Sequence, residues 1–330
     1  EIADKISSEI RRNNGLISKS DLKNYSPVWR APLISNYRDT EIITMGPPSS
    51  GGLHVIQMLN ILENYDLKKI GHNSLEYINL LTEVMKFAYA DRSKYLGDPD
   101  FYDVPIRKIT SKKYADEINK NIQIGKLTPV NEINPGKYMD GESHETTHFS
   151  VVDKTGNVIS MTYTLNSTFG SKVVIEGTGI VMNNEMDDFS AAPGIPNQFN
   201  LLGAEANEIA PFKRPLSSMT PTIVLKDKEL FFTTGSPGGA RIISAVLQSI
   251  VNIIDFDMNL EDTTAAKRIH HQWYPDILEY EFTLDNTIEK NLKKIGYKTE
   301  SKLPLTSLQT IMFSDGIYYG YGDFRRVDAL

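Results

Sequence analysis

The sequence predicts an α+β layered fold, and three observations carry that reading. Helical periods separated by turn clusters fill the first part of the 330 residues. Near residue 147 the pattern switches to strand alternation. Short strands are then followed by helices instead of alternating with them one by one, which argues against a doubly wound sheet.

The elements follow in order. Ile2, Ile6 and Ile10 recur every four residues until Asn14-Gly15 stops the pattern. Because Glu1 opens directly into this helix, with neither an initiator Met nor a signal peptide, the chain reads as a fragment or a processed product. Pro32 to Met45 reads as a hairpin around Arg38-Asp39. The loop Gly46-Pro-Pro-Ser-Ser-Gly-Gly52 opens a helix from Leu53 to about Tyr65. Asn73 or Ser74 caps a long helix reaching about Tyr95, with Leu80, Leu81, Val84, Phe87 and Ala88 on its apolar side, and Gly97-Asp-Pro99 ends it. A further helix is expected near Ser111 to Ile122.

Gln123 to Glu145 is polar and aperiodic and holds Pro129, Pro135, Gly136 and Gly141, so it reads as an exposed, mobile linker. Phe149, Val151 and Val152 then lead into a Lys154-Thr-Gly-Asn157 turn. Beyond the turn Val158, Ser160, Thr162 and Thr164 alternate with Ile159, Met161, Tyr163 and Leu165. Short strands follow around Gly179 to Met182, Thr222 to Leu225 and Leu230 to Thr234. Gly238-Gly239 opens a helix to about Ile254, and Leu260 to Ile269 reads as another. Leu308 to Tyr321 reads as a hairpin turning at Ser314-Asp-Gly316.

Composition excludes several function classes. A net charge of −7 gives no electrostatic support for nucleic acid or an anionic membrane. Zero cysteines exclude disulfides, thiolate metal sites and thiol nucleophiles. No apolar run approaches the ~18 residues of a membrane span; Ile242 to Phe256 is interrupted by Ser244, Gln248, Ser249, Asn252 and Asp255. The 46–52 loop lacks the Gly-Lys-Ser/Thr of a phosphate loop. His270-His271 lacks metal-ligand partners at helical spacing and reads as structural. No cofactor is expected.

The sharpest feature is the boundary Glu145-Thr146-Thr147-His148, where a loose linker stops and a strand starts. A backbone cut there would leave Thr146 as an N-terminus whose α-amino group, with a pKa of about 8, could serve as base for its own hydroxyl. Alone, Thr-Thr at a strand start reads as β-propensity and nothing more.

Thr146-Thr-His-Phe-Ser-Val-Val-Asp153 resembles the segment that begins the small subunit of γ-glutamyltransferases. The resemblance continues through Tyr163-Thr-Leu-Asn166, Asn183-Asn-Glu-Met-Asp-Asp-Phe189, Lys213-Arg-Pro-Leu-Ser-Ser-Met219 and Gly235-Ser-Pro-Gly-Gly239. Upstream, Pro47-Pro-Ser-Ser-Gly-Gly52, Ala90-Asp-Arg92 and Leu96-Gly-Asp-Pro99 are similar to the end of the family's large subunit.

The resemblance implies the four-layer αββα fold of N-terminal-nucleophile hydrolases, with residues 1–145 as the end of a large subunit and 146–330 as the small, catalytic one. It implies that Thr146 is the nucleophile of both self-cleavage and turnover, with Thr164 as the second threonine that hydrogen-bonds it. Asn166, Glu185 and Asp188 match residues that hold a γ-glutamyl α-amino group, Ser217 and Ser218 match donors to its α-carboxylate, and Gly238 and Gly239 match an oxyanion hole. Two glycines at a helix start suit that role physically, since backbone N–H groups can approach closely there. The implied donors are glutathione and other γ-glutamyl compounds, the acceptors water, amino acids or peptides, and the compartment the periplasm or the exterior.

Two departures stand out. Phe199 occupies a lid position where many bacterial members carry a Tyr, so a hydroxyl bond to Asn166 would be missing. The family's Arg for the substrate α-carboxylate lies upstream of Glu1. Two other readings remain, an acylase or poly-γ-glutamate hydrolase, and a non-catalytic fragment. Asp187-Asp188 as a solvated pair, Ser217-Ser218 as a turn and Gly238-Gly239 as a plain helix entry are the corresponding bland readings of those residues.

Overall fold

A computed structural model of the chain describes residues 1–133, 146–192, 195, 197–198, 201–304 and 306–326. Turn chemistry and strand alternation build its centre, a six-stranded antiparallel sheet. In spatial order the strands are Leu33–Tyr37, Thr40–Thr44, Thr222–Lys226, Glu229–Thr234, Gln309–Ser314 and Ile317–Gly322. Both expected hairpins are present. Arg38 turns the first with φ 52°, and Asp315 (φ 53°) and Gly316 (φ 78°) turn the last, the left-handed pair that a tight two-residue turn needs.

Helices Gly51–Leu62, Leu75–Tyr95 and Arg241–Ile254 pack with this sheet into one apolar core. Ile42, Val224 and Phe232 stand in register across three strands and are fully buried beside Leu59, Leu81, Val84, Ile243 and Val246. Each such side chain contributes about 1.5–3 kcal/mol by leaving water. Ser74 caps the long helix by accepting from the Tyr77 N–H at 3.1 Å.

The Thr147–Val152 and Val158–Tyr163 strands form a separate hairpin that packs against the central sheet. Its polarity is inverted. An antiparallel sheet with one covered face usually buries the apolar set, but here His148, Ser150, Ser160 and Thr162 are the covered side. His148 is hydrogen-bonded through Nδ1 to Thr162 Oγ1 (2.9 Å) and through Nε2 to Ser150 Oγ (3.2 Å), while Ser160 Oγ donates to the Thr234 carbonyl at 3.3 Å. Phe149, Val151, Ile159, Met161 and Tyr163 face outward and are exposed. Gly235 makes the close approach possible, because a Cβ there would lie 2.1 Å from the His148 ring.

The α+β class is therefore as expected, with helix layer, sheet and hairpin as its described layers. Several elements differ from the sequence reading. The helix expected from Leu53 begins at Gly51, because Gly51 and Gly52 are pressed against the 218–220 backbone and Met45; a Cβ on Gly52 would meet the Met45 carbonyl at 2.2 Å. The helix at Leu260 ends at Ala265, since Ile269–His270 instead pairs with Leu278–Glu281, which runs parallel to Thr299–Lys302. That three-stranded sheet and the Asn286–Ile295 helix were not expected, although Ile288, Leu292 and Ile295 recur at helical spacing between an Asp285 cap and Gly296.

Residues 123–133, read as the start of an exposed linker, are docked in part on the long helix. Asn79 Nδ2 donates to the Lys126 carbonyl at 2.8 Å, Thr128 N donates to Glu83 Oε2 at 3.0 Å, and Trp273 Nε1 donates to the Val130 carbonyl at 3.1 Å. The remainder, 134–145, lies outside the described residues. Lys86 and Glu83, both fully buried, form the ion pair at the heart of this contact (2.9 Å), and Lys86 also donates to the Thr128 carbonyl.

Removing one partner of a buried pair leaves an uncompensated charge, so Lys86→Met is expected to cost about 3–5 kcal/mol. Urea unfolding at neutral pH should show this loss, and Glu83→Gln/Lys86→Met should recover part of it. Equal losses in the single and double variants would contradict the charge argument.

Candidate active site

Thr146 stands at the head of the inverted hairpin, and the register Thr147↔Tyr163 brings the next residue across, Thr164, alongside it. Thr146 Oγ1 donates to Thr164 Oγ1 at 3.2 Å, and Thr164 Oγ1 also accepts from the Asn166 N–H at 2.8 Å. Arg326 Nη1 donates to the Thr146 carbonyl at 2.9 Å. Asn166 takes the left-handed conformation (φ 73°), which asparagine tolerates better than most residues. Its Nδ2 donates to the Asn184 carbonyl at 3.2 Å, tying the end of the hairpin to the short helical turn Glu185–Asp188.

These groups line a shared cleft. Thr146, Thr164, Asn166, Asp188, Ser217, Ser218 and Gly239 all face it, together with apolar walls from Leu201, Leu216, Met219 and Ile242. Of the remaining candidate residues, Glu185 shares a turn with Asp188, and Gly238 directly precedes Gly239. Phe199 lies outside the described residues, as does Glu145 on the far side of the Thr146 peptide bond.

Burial raises both carboxyls. Glu185 is pushed up to about 7, and Asp188 to about 8 by burial first and then by the neighbouring charge of Glu185; Asp187 adds to the rise, while Arg92 opposes it. Both carboxyls hold their protons more firmly than ordinary carboxylates do.

Ser217 and Ser218 sit on an extended segment stitched to the start of the helix at Gly51. Ser217 N donates to the Pro48 carbonyl (3.0 Å), and Ser50 donates to the Ser217 carbonyl through both its N–H and its Oγ (2.8 Å each). Gly51 permits this contact, since a Cβ there would lie 2.0 Å from Thr220 Oγ1. Gly238 (φ 134°) and Gly239 (φ 55°) adopt backbone conformations that side chains disfavour, and they lead into the helix from Arg241. Gly239 lines the same cleft as Thr146, just ahead of that helix.

Sequence reasoning missed Arg92. It lies on the long helix four residues beyond Ala88, on the apolar stripe, and is 3% exposed. A charge on a buried stripe was the available signal. His148, although next but one to Thr146, is engaged with Thr162 and Ser150, and burial lowers its pKa to about 4. His270 and His271 are buried structural groups, bonded to Ser244 and Gln272 and to Asp276 respectively. Among the described residues, no group of three or more His, Asp or Glu is arranged to hold a metal, and no helix is long and apolar enough to cross a membrane.

Comparisons with known proteins place this geometry. A family model described as gamma-glutamyltranspeptidase matches residues 1–330. The glutathione hydrolase proenzyme of Escherichia coli K12 is 51% identical over 330 residues, covering all of this chain and 57% of that protein. The chain thus spans little more than half the length of that relative. An acivicin-inhibited gamma-glutamyltranspeptidase structure, 46% identical, covers 55% of this chain and 98% of its own with a TM-score of 0.53. A cephalosporin acylase from Bacillus halodurans, 26% identical, superposes on 98% of this chain and 57% of its own with a TM-score of 0.83.

The raised Asp188 carboxyl has a consequence for stability. The fold binds this proton more tightly than the unfolded chain does, so stability falls as pH rises from the usual carboxylate range through about 8. Asp188→Asn removes that cost, and its gain in Tm is expected to grow from pH 5 to pH 9. A gain of the same size at both pH values would contradict the assignment.

Proposed function

The chain belongs to the γ-glutamyltranspeptidase family, and on that footing we propose that it is the processing and catalytic part of a γ-glutamyltransferase that also hydrolyses glutathione. The observation that carries this reading is the Thr146–Thr164 hydroxyl pair, 3.2 Å apart, in a cleft that also holds raised carboxyls, two serines and a glycine pair.

The first reaction is self-cleavage. Thr146 Oγ attacks the carbonyl carbon of Glu145. As the C–N bond breaks, the hydroxyl proton passes to the departing nitrogen, leaving an ester and a free α-amino group. Water then hydrolyses the ester to give the Glu145 carboxylate and restore the Thr146 hydroxyl. Until that cut the nitrogen is an amide and has no basicity to offer. Afterwards it takes the proton from Oγ as the oxygen attacks a γ-glutamyl carbonyl, a contribution of about 10²–10⁴-fold for a positioned base. The developing oxyanion is met by the backbone at Gly238-Gly239, where losing one donor typically costs about 3–4 kcal/mol of barrier. The same proton then passes to the leaving amine. Water or an acceptor amine finally resolves the γ-glutamyl–Thr146 ester.

The donor is held at its α-carbon. Asp188, Glu185 and Asn166 receive the ammonium, and charge-assisted bonds make two carboxylates a strong receptor for it. Ser217 and Ser218 donate to the α-carboxylate. Residues 1–145 would form the end of one subunit and 146–330 the other, working outside the cytoplasm. The acylase likeness leaves a second reading, but an ammonium receptor is wasted on an acyl donor that lacks the amine, which favours γ-glutamyl compounds.

Thr146→Ala is expected to block both events. Intact-mass spectrometry after incubation at neutral pH should show two fragments meeting at Glu145–Thr146 in the unmodified protein and a single species in the variant, with no turnover of γ-glutamyl-4-nitroanilide. A processed, active Thr146→Ala protein would refute the mechanism.

A further inference from the structure

Arg92 is buried behind the cleft wall, and its hydrogen bonds have a fixed direction. Nε donates to Ser50 Oγ at 2.9 Å, and Nη2 donates to Ser218 Oγ at 3.1 Å. A guanidinium has donors only, so both serine oxygens must accept. Ser50 spends its own hydrogen on the Ser217 carbonyl. Ser218 does not: among the described residues its hydroxyl hydrogen has no acceptor, and its side chain lines the cleft. Arg92 therefore leaves the Ser218 hydrogen available to a ligand in the cleft.

The charge of Arg92 is equally pointed. Among the described residues the guanidinium takes part in no ion pair, although it is 3% exposed. A buried cation without a bonded counterion is costly to the fold. Asp188 lies close enough to feel it, but among the described residues no hydrogen bond or ion pair joins the two, and the reading above gives that carboxyl to the ammonium. The anion best placed to balance Arg92 is one bound at Ser217 and Ser218.

We infer that Arg92 is a positioning residue for the carboxylate end of the ligand: it orients the Ser218 hydroxyl into the cleft and supplies the buried positive charge that an α-carboxylate there balances. This rests on the γ-glutamyl reading of the same cleft. It assigns to this chain's own long helix a part of carboxylate recognition that the resemblance places upstream of Glu1.

The test uses the processed protein and two donors, γ-glutamyl-4-nitroanilide and 4-aminobutyryl-4-nitroanilide, which keeps the amine and lacks only the α-carboxylate. Arg92→Met is expected to raise KM for the γ-glutamyl donor by roughly 10- to 100-fold, the scale of a hydrogen bond to a charged group, with a much smaller change in kcat. Its effect on the aminobutyryl donor should stay within about twofold. Ser218→Ala should show the same split, and Arg92→Met/Ser218→Ala should be no worse than the more severe single variant, because the two act as one unit.

Should Arg92→Met fail to fold by circular dichroism, Arg92→Lys keeps the charge and should give a weaker form of the same split. Equal losses on both donors, or additivity of Arg92→Met with Ser218→Ala, would overturn the inference while leaving the enzyme reading intact. An unmodified protein that is processed but turns over neither donor would overturn both.

Discussion

The seam between the inverted hairpin and the central sheet is the constraint on which the cleft depends. Thr146 has its place because Thr147 pairs with Tyr163 and because His148, Ser150, Ser160 and Thr162 are held on the covered side. Each of these hydrogen bonds contributes only about 0.5–1.5 kcal/mol net. Their weight lies in direction. A slip of one residue would exchange the covered and exposed sets, setting Phe149 and Met161 against the sheet and carrying Thr164 away from Thr146. An apolar seam would tolerate small sliding, whereas a seam of paired polar groups has one register in which all are satisfied. Gly235 belongs to the same constraint, since only a residue without a side chain lets the His148 ring come so near.

The other walls reach the cleft by a similar economy of side chains. Gly51 and Gly52 let the first buried helix press on the segment carrying Ser217 and Ser218, and Gly238 and Gly239 turn the backbone into the second. Four separate stretches of chain thus converge around one threonine hydroxyl. The carboxyl-bearing turn is joined to them through Asn166 and Asn184. Polar residues dominate these junctions because each approach is made by backbone, which must be hydrogen-bonded wherever it is buried.

Much of this was legible in the sequence, and what was not has identifiable physical causes. The hairpins at Arg38 and at Asp315-Gly316 were readable because turn chemistry is local. The long helix was readable from its cap and stripe, and the resemblance gathered residues as far apart as Thr146 and Gly239, which line one cleft. Alternation located the hairpin strands but could not say which face is covered, since that depends on what lies beneath them. The docking of residues 123–133 depends on Asn79, Glu83 and Trp273, which are distant in sequence. Arg92 was hidden for the same reason, because its meaning comes from Ser50 and Ser218 and not from its neighbours on the helix. The parallel pair Leu278–Glu281 and Thr299–Lys302 is likewise long-range, joined through the Asn286–Ile295 helix.

The central sheet also bears on what a cut at residue 146 could do. Its strands are drawn from both sides of that point: Thr40–Thr44 lies against Thr222–Lys226, paired from Thr40↔Lys226 to Thr44↔Thr222. The two pieces would therefore share a single continuous ladder and a single apolar core. Separating them would mean tearing the sheet down its middle, so dissociation and unfolding become the same event. Covalent continuity of the chain would then be dispensable once the sheet had formed, and such a break would act as a chemical change at one atom with no mechanical cost to the whole.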